Sequence, residues 1–125
     1  MPTFGKRSLE NLATVHPKLR LVLSEAIKHF DFTCIDGHRD EPTQNEYYDS
    51  GVSKVRWPDS KHNSYPSRAV DIVPYPGAFE NEDEKFYLMA TYVFRAAARV
   101  GVRLVWGGHW RNFKDLAHFE LEDME

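Results

Sequence analysis

Apolar residues recur at helical spacing in two long segments of the chain. The first segment begins at Pro17, and proline is favoured in the first turn of a helix. We therefore expect a helix over residues 17–29 with one buried face. The second segment follows Asn81, a residue type common at helix N-caps, and Gly101 is a natural stop, so we expect this longest helix to end at Val100. The predicted buried stripes are Leu19, Val22, Leu23, Ala26 and Ile27 in the first helix and Phe86, Met89, Ala90, Val93, Phe94 and Ala97 in the second.

Shorter apolar runs bounded by turn-forming residues predict four strands, and two polar segments predict short helices. Ser8 is the predicted N-cap of the first short helix, and Gly51 is the predicted end of the second. Helices and strands are mixed without the regular alternation that gives a parallel sheet, so the predicted fold class is α+β, with helices packed on a small antiparallel sheet. The strands are predicted over residues 32–35, 69–73, 102–106 and 117–121, and the short helices over 9–13 and 42–50.

Length and composition restrict the class of protein. The chain has 125 residues, of which 42% are hydrophobic and 14% aromatic, and this predicts one domain with its own core over residues 1–125. The net charge of −3 provides no basic field for nucleic acid. The one cysteine, Cys34, excludes an internal disulfide, and we interpret it as a buried thiol. We expect no membrane insertion and no signal peptide, because no segment has the long apolar run that either requires.

A carboxylate lies in the middle of the most apolar predicted strand. Asp71 occurs in the run Ala69-Val70-Asp71-Ile72-Val73, and a buried charge is unfavourable unless a partner compensates it. A metal ion is one such partner. His62 precedes this strand and His118 lies in the last strand. Two histidines and one aspartate leave a coordination position open, which is typical of a catalytic zinc site.

Other polar residues near these three suit the chemistry of hydrolysis. Asp115 precedes His118 by three residues, and a carboxylate there can act as a general base. Arg39 follows a strand end and Gly37; it would either stabilise a developing oxyanion or form an ordinary salt bridge in a turn. Strand alternation places Glu120 on the same face as His118.

Each candidate ligand also has an ordinary interpretation. Taken alone, His62 would be a surface loop histidine, Asp71 a strand-end carboxylate and His118 a hydrogen-bonded core histidine. His109 is a competing ligand candidate, although its tight glycine-containing turn favours a role as a wall of the cleft. The spacing of the residues leaves these alternatives open.

The motifs that contain these residues resemble a known family. Ser60-x-His62, Ala69-x-Asp71 and Asp115-x-x-His118 resemble the signature of the zinc D-Ala-D-Ala carboxypeptidase and VanY-like peptidases. Gly37-x-Arg39 and Trp106-Gly107-Gly108-His109-Trp110 are similar to two further segments of that family. The resemblance implies a hedgehog/D-Ala-D-Ala-peptidase-like fold.

The resemblance also implies a role for each matching residue. Asp115 would be the general base, and Arg39 would assist the substrate carbonyl. Ser60, beside the first ligand, would contact the substrate. The implied zinc ligands are His62, Asp71 and His118.

The chain departs from the family pattern at two places. Nine positions separate His62 from Asp71, more than the family usually has, and Ser67 occupies the place of a glycine. The implied base is Asp115, where the dipeptidase branch of the family has glutamate. An aspartate at that position resembles the branch that contains small phage endolysins.

The N-terminal segment, which begins Phe4-Gly5-Lys6-Arg7-Ser8, is also similar to that of small phage endolysins. The function implied is a zinc-dependent endolysin that hydrolyses the L-alanyl-D-glutamate bond of peptidoglycan stem peptides. A D-alanyl-D-alanine carboxypeptidase is the alternative enzyme, and a non-catalytic zinc-binding module is the alternative of a different class. We expect a monomer that stays in the host cytoplasm until lysis and depends on a holin for access to the cell wall.

Overall fold

The computed structural model describes residues 2–76 and 83–122. Within these ranges the chain forms helices on one antiparallel sheet, which confirms the predicted α+β class. Two short 3-10 turns, Lys61–Asn63 and Gly107–His109, interrupt the connections. The helices are α1 Lys6–Leu12, α2 Pro17–Ala26, α3 Glu41–Asp49 and α4 Asp83–Val100; the strands are β1 Phe32–Asp36, β2 Ala69–Pro74, β3 Leu104–Trp106 and β4 His118–Leu121.

The sheet has the order β1-β2-β4-β3, and every neighbouring pair is antiparallel. The two strands that contain candidate ligands, β2 and β4, are therefore central. Asp71 pairs with His118 in register on one side and with Asp36 on the other. Directly opposed residues on antiparallel strands lie on the same face, so three titratable side chains form a row across the middle of the sheet.

The hydrophobic core lies between the sheet and the pair α2 and α4, which pack against each other. The predicted stripes of both helices are buried here, although Phe86 and Phe94 are only partly buried. Burial of these stripes fixes the face of the sheet that meets the helices. The fully buried core side chains include Leu19, Leu23, Val70, Ile72, Met89, Val93 and Phe119.

The prediction that Ser8 caps the first helix was wrong. The helix begins at Lys6 with Gly5 at the N-cap position, and Ser8 is buried inside it. The Ser8 hydroxyl accepts a hydrogen bond of 3.0 Å from the backbone N–H of Cys34. Since β1 is an edge strand, this N–H lies on the side without a neighbouring strand, and the hydroxyl satisfies it.

Other element boundaries also differ from the predictions. Helix α2 ends at Ala26, whose carbonyl then accepts the N–H groups of both His29 and Phe30 in a closing turn. Strand β3 begins at Leu104 rather than at residue 102. The predicted cap Asn81 lies outside the described residues. No helix in the described part of the chain is long and apolar enough to cross a bilayer.

Candidate metal centre

A capped turn sets the position of His62. The Ser60 hydroxyl accepts the N–H of His62, and the Asn63 side chain accepts the N–H of Ser60, so the two form a capping box. The carbonyl of His62 accepts the N–H of Arg39 at 2.8 Å. These bonds join the turn to the segment that follows β1, and they point the His62 ring into the protein, where it is 1% exposed.

The His62 ring is held in one tautomer. Its Nδ1 lies 2.7 Å from the carbonyl oxygen of Gly37, and a carbonyl can only accept, so Nδ1 carries the hydrogen. In the neutral ring, Nε2 then carries a lone pair and no hydrogen. This Nε2 is the one buried side-chain nitrogen or oxygen in the described ranges that lacks a hydrogen-bond partner.

The three predicted ligands converge on one point. His62 Nε2 lies 3.3 Å from Asp71 Oδ1, and His118 Nδ1 lies 3.2 Å from the same oxygen. The three ligand atoms all lie within 4.8 Å of one another, and all three residues are buried. The loop between His62 and Asp71 is longer than the family usually has, but the Asp71 carboxylate still faces both imidazoles. This group can hold a metal ion.

His118 lies between two carboxylates. Its Nδ1 faces Asp71, and its Nε2 lies 2.7 Å from Glu120 Oε1. Burial lowers the pKa of His118, but the hydrogen bonds to Asp71 and Glu120 outweigh burial and raise it to about 9. The site therefore stabilises positive charge between the histidines and Asp71. Either a proton or a metal ion can supply that charge.

Asp71 remains ionised although it is buried. Burial raises its pKa, but the contacts with His118 and His62 outweigh burial and hold the pKa of this carboxyl well below its usual range. Arg39 adds a further contact, because its Nη2 donates to Asp71 Oδ2 at 2.9 Å. The carboxylate thus presents one oxygen to the imidazoles and the other to a guanidinium.

Arg39 joins two carboxylates that would otherwise repel each other. Asp36 and Asp71 are paired across β1 and β2, and Arg39 Nε donates to Asp36 Oδ2 at 2.6 Å. The guanidinium also contacts the Gln44 side chain at 3.4 Å and lies over the ring of Tyr47. Sequence reasoning placed Arg39 near the site but missed these partners, because they lie on three separate elements, β1, β2 and α3.

Asp115 lies beside the three ligands in the wall of a cleft of about 620 Å³. Burial and the nearby negative charge of Asp71 raise the pKa of Asp115, which makes it a stronger base than a free aspartate. Its N–H donates to the carbonyl of Gly107 at 3.0 Å. A Cβ at Gly107 would collide with the Asp115 carbonyl oxygen and press on His118, so the glycine permits this close approach. The cleft is lined by residues 52–55, 59–62 and 113–118 with Ile35, Arg39, Asp71, Phe86, Trp110 and Glu120.

Ser60 and His109, which the sequence also singled out, lie in different places. Ser60 lines the cleft. His109, the competing ligand candidate, lies apart from the cluster: its ring stacks on Phe94 and contacts Trp106. Trp110, in the same turn, packs its ring 4.9 Å from the ring of His118. Of this segment, Trp110 lines the cleft, whereas His109 does not.

Comparisons with known proteins agree with this geometry. The family model described as "Phage L-alanyl-D-glutamate peptidase" matches residues 2–123. A relative from Escherichia phage T5, named L-alanyl-D-glutamate peptidase, is 32% identical over 123 residues, which cover 95% of this chain and 88% of the relative. The crystal structure of the Serratia marcescens L-Ala D-Glu endopeptidase ChiX matches with a TM-score of 0.82 and 34% identity. That match covers 95% of this chain and 89% of ChiX.

The fold, the His-Asp-His cluster and the matched length lead to one assignment. The match to the family model spans nearly the whole chain, and the structural relative has the same fold at more than 30% identity. This protein belongs to the phage L-alanyl-D-glutamate peptidase family.

Proposed function

We propose that this protein is a zinc-dependent endolysin that hydrolyses the L-alanyl-D-glutamate bond of peptidoglycan stem peptides. The supporting observation is the convergence of His62, Asp71 and His118 in the wall of an open cleft that also contains Asp115. A non-catalytic metal site would need neither the cleft nor the additional carboxylate. We further propose that residues 1–125 form one catalytic domain.

Zinc suits the three proposed ligands. The donor atoms are two imidazole nitrogens and one carboxylate oxygen, all of which zinc accepts, and three protein ligands leave a position for a reactant. Two atoms bound to one tetrahedral zinc ion lie roughly 3.3 Å apart. The distances from Asp71 Oδ1 to His62 Nε2 and His118 Nδ1 are 3.3 and 3.2 Å. The partnerless Nε2 of His62 would gain a partner.

The proposed reaction needs a base, an acid and a partner for negative charge. A bound zinc ion supplies Lewis acidity, which polarises a carbonyl and acidifies water. Asp115 would take a proton from the attacking water and return it to the nitrogen of the breaking amide bond, so that the amine leaves uncharged. Its raised pKa supports both transfers.

Arg39 and Ser60 would contribute at the substrate carbonyl and the cleft wall. Three contacts of the guanidinium involve Asp36, Gln44 and Asp71, and an arginine has five N–H donors. Arg39 lines the cleft, and one of the two others would donate to the carbonyl oxygen, where negative charge develops. Ser60 lines the cleft and caps the turn that contains His62, so we propose that it contacts the substrate beside this ligand.

The proposed biological setting is the lysis of a phage-infected bacterium. The enzyme would act as a monomer. It would accumulate in the host cytoplasm and reach the peptidoglycan through a membrane lesion made by a holin. The assignment to a phage peptidase family supports this setting.

We predict one zinc ion per chain. His118→Ala should lower the zinc content and the zinc affinity strongly, because it removes one of three ligands. His109→Ala is the matched control: it removes a histidine whose ring stacks on Phe94 and which is not part of the cluster. Metal analysis after dialysis measures the content. Full zinc content in His118→Ala would remove His118 from the site.

We predict that Asp115→Asn keeps the fold and the zinc but reduces turnover by about 100- to 10,000-fold, because an amide cannot accept the proton. Asp59→Asn makes the same change of charge at another carboxylate that lines the cleft, and should retain most activity. Turnover is measured on purified cell walls at saturating zinc. Equal rates for wild type and Asp115→Asn would exclude Asp115 as the base.

Digestion of purified peptidoglycan tests the proposed bond. We expect mass spectrometry to find stem peptides that begin with D-glutamate and glycan strands that retain L-alanine. Asp115→Asn protein serves as the control for contaminating hydrolases. Release of free D-alanine with the alanine-glutamate bond intact would instead identify a D-alanyl-D-alanine carboxypeptidase. Zinc binding without any cleavage would support the non-catalytic module.

A further inference from the structure

Glu120 has no role in the proposed reaction, yet it is in direct contact with a proposed ligand. It lies two residues after His118 on β4 and faces the same side of the sheet. Its side chain is 14% exposed, which is unusual for a glutamate without a partner. Glu120 Oε1 lies 2.7 Å from His118 Nε2, and Oε2 lies 3.0 Å from Lys61 Nζ.

The contact with Glu120 decides which nitrogen of His118 can face a metal. An ionised carboxylate can only accept hydrogen bonds, so Nε2 keeps its hydrogen and donates it to Glu120. The neutral ring then has its lone pair on Nδ1, the nitrogen that faces Asp71. Without this acceptor the ring could rotate or change tautomer, and the lone pair would leave the cluster.

The geometry separates Glu120 from the metal ligands and from the base. The two nitrogens of an imidazole point away from each other, and Asp71 is on the Nδ1 side of the His118 ring while Glu120 is on the Nε2 side. The cluster of ligand atoms within 4.8 Å contains His62, Asp71 and His118 but not Glu120. Glu120 therefore acts through His118.

Lys61 connects this contact to the other histidine. It precedes His62 in the Lys61–Asn63 turn, and its ammonium group contacts Glu120 and also donates to the carbonyl of Leu121 at 3.0 Å. The Lys61–Glu120 ion pair thus links the turn that presents His62 to the strand that presents His118. Both residues are partly shielded from water, so salt screens this pair less than an exposed one.

We propose that Glu120, held by Lys61, is a positioning residue that fixes the His118 ring with Nδ1 directed at the metal. The proposal rests on the metal site of the proposed function and extends it to residues outside the ligand set. Carboxylates that accept from a metal-bound histidine typically change metal affinity or activity by about 10- to 100-fold when they are removed.

Zinc affinity in three variants tests this role. We expect Glu120→Ala to weaken zinc binding by about 10- to 100-fold, and Glu120→Gln, which keeps an acceptor oxygen but loses the charge, to lie between Glu120→Ala and wild type. Glu122→Gln is the matched control. Glu122 is near the end of β4, contacts Arg103 at 3.7 Å and is 45% exposed. The zinc affinity of Glu122→Gln should therefore stay within about twofold of wild type. Each variant is stripped of metal and then competes with a chromogenic chelator for zinc, which measures its zinc dissociation constant.

Two readouts separate positioning from a general structural role. In ¹⁵N spectra of zinc-loaded wild type, the Nε2 hydrogen of His118 should be visible and slow to exchange with water, and this signal should be lost in Glu120→Ala. Excess zinc should restore most of the turnover of Glu120→Ala, because the defect lies in metal retention. Thermal unfolding of each variant with and without zinc reports whether it folds, and Glu120→Gln decides the question if Glu120→Ala does not fold.

Folded Glu120 variants with wild-type zinc affinity and an unchanged His118 signal would overturn the inference while leaving the proposed function in place. Wild-type protein that binds no zinc would overturn both. A Glu120→Gln variant that binds zinc normally but cannot be rescued by excess zinc would contradict positioning and assign Glu120 to the reaction itself.

Discussion

The structure depends on one buried charge, the Asp71 carboxylate at the centre of the sheet. It is ionised and 8% exposed, in a strand whose neighbours are apolar. Such a charge is unfavourable in a protein interior unless partners compensate it. Arg39 donates to Oδ2, and His118 faces Oδ1 together with the lone pair of His62 Nε2, so that a proton on His118 or a cation held by both imidazoles compensates this second oxygen. The positions of these three residues, and of the elements that present them, follow from this requirement.

The residues that contact Asp71 have charged partners of their own, so that negative and positive side chains alternate in a row. Arg39 is itself neutralised by Asp36, and His118 by Glu120, which is paired in turn with Lys61. Removing one partner from a buried pair typically costs about 3–5 kcal/mol, because the other charge is left uncompensated. The row therefore fixes the geometry of the cluster, and a cation among His62, Asp71 and His118 completes it. A preorganised site of this kind does not have to rearrange when it binds a metal.

Local patterns in the sequence predicted the helices, the strands and the central carboxylate. The stripes of α2 and α4 have helical spacing, and Asp71 interrupts an otherwise apolar run. Contacts between distant segments were not predictable in the same way. Ser8 has the residue type of an N-cap, but it satisfies an N–H of β1 that lies 26 positions later. Glu120 could be placed on the face of His118 by strand alternation, whereas its pairing with Lys61 depends on how the turn folds back over β4. The ligand set itself came from a family resemblance, because the spacing of His62, Asp71 and His118 alone left other interpretations open.

The central claim is that His62, Asp71 and His118 together bind the metal through two imidazole nitrogens and one carboxylate oxygen. Zinc K-edge X-ray absorption of the zinc-loaded protein tests this claim most directly, because multiple scattering from imidazole rings counts the histidine ligands. The account predicts a shell of nitrogen and oxygen atoms at roughly 2.0–2.1 Å, with two imidazoles and no sulfur. A spectrum with sulfur, or with fewer than two imidazoles, would contradict it.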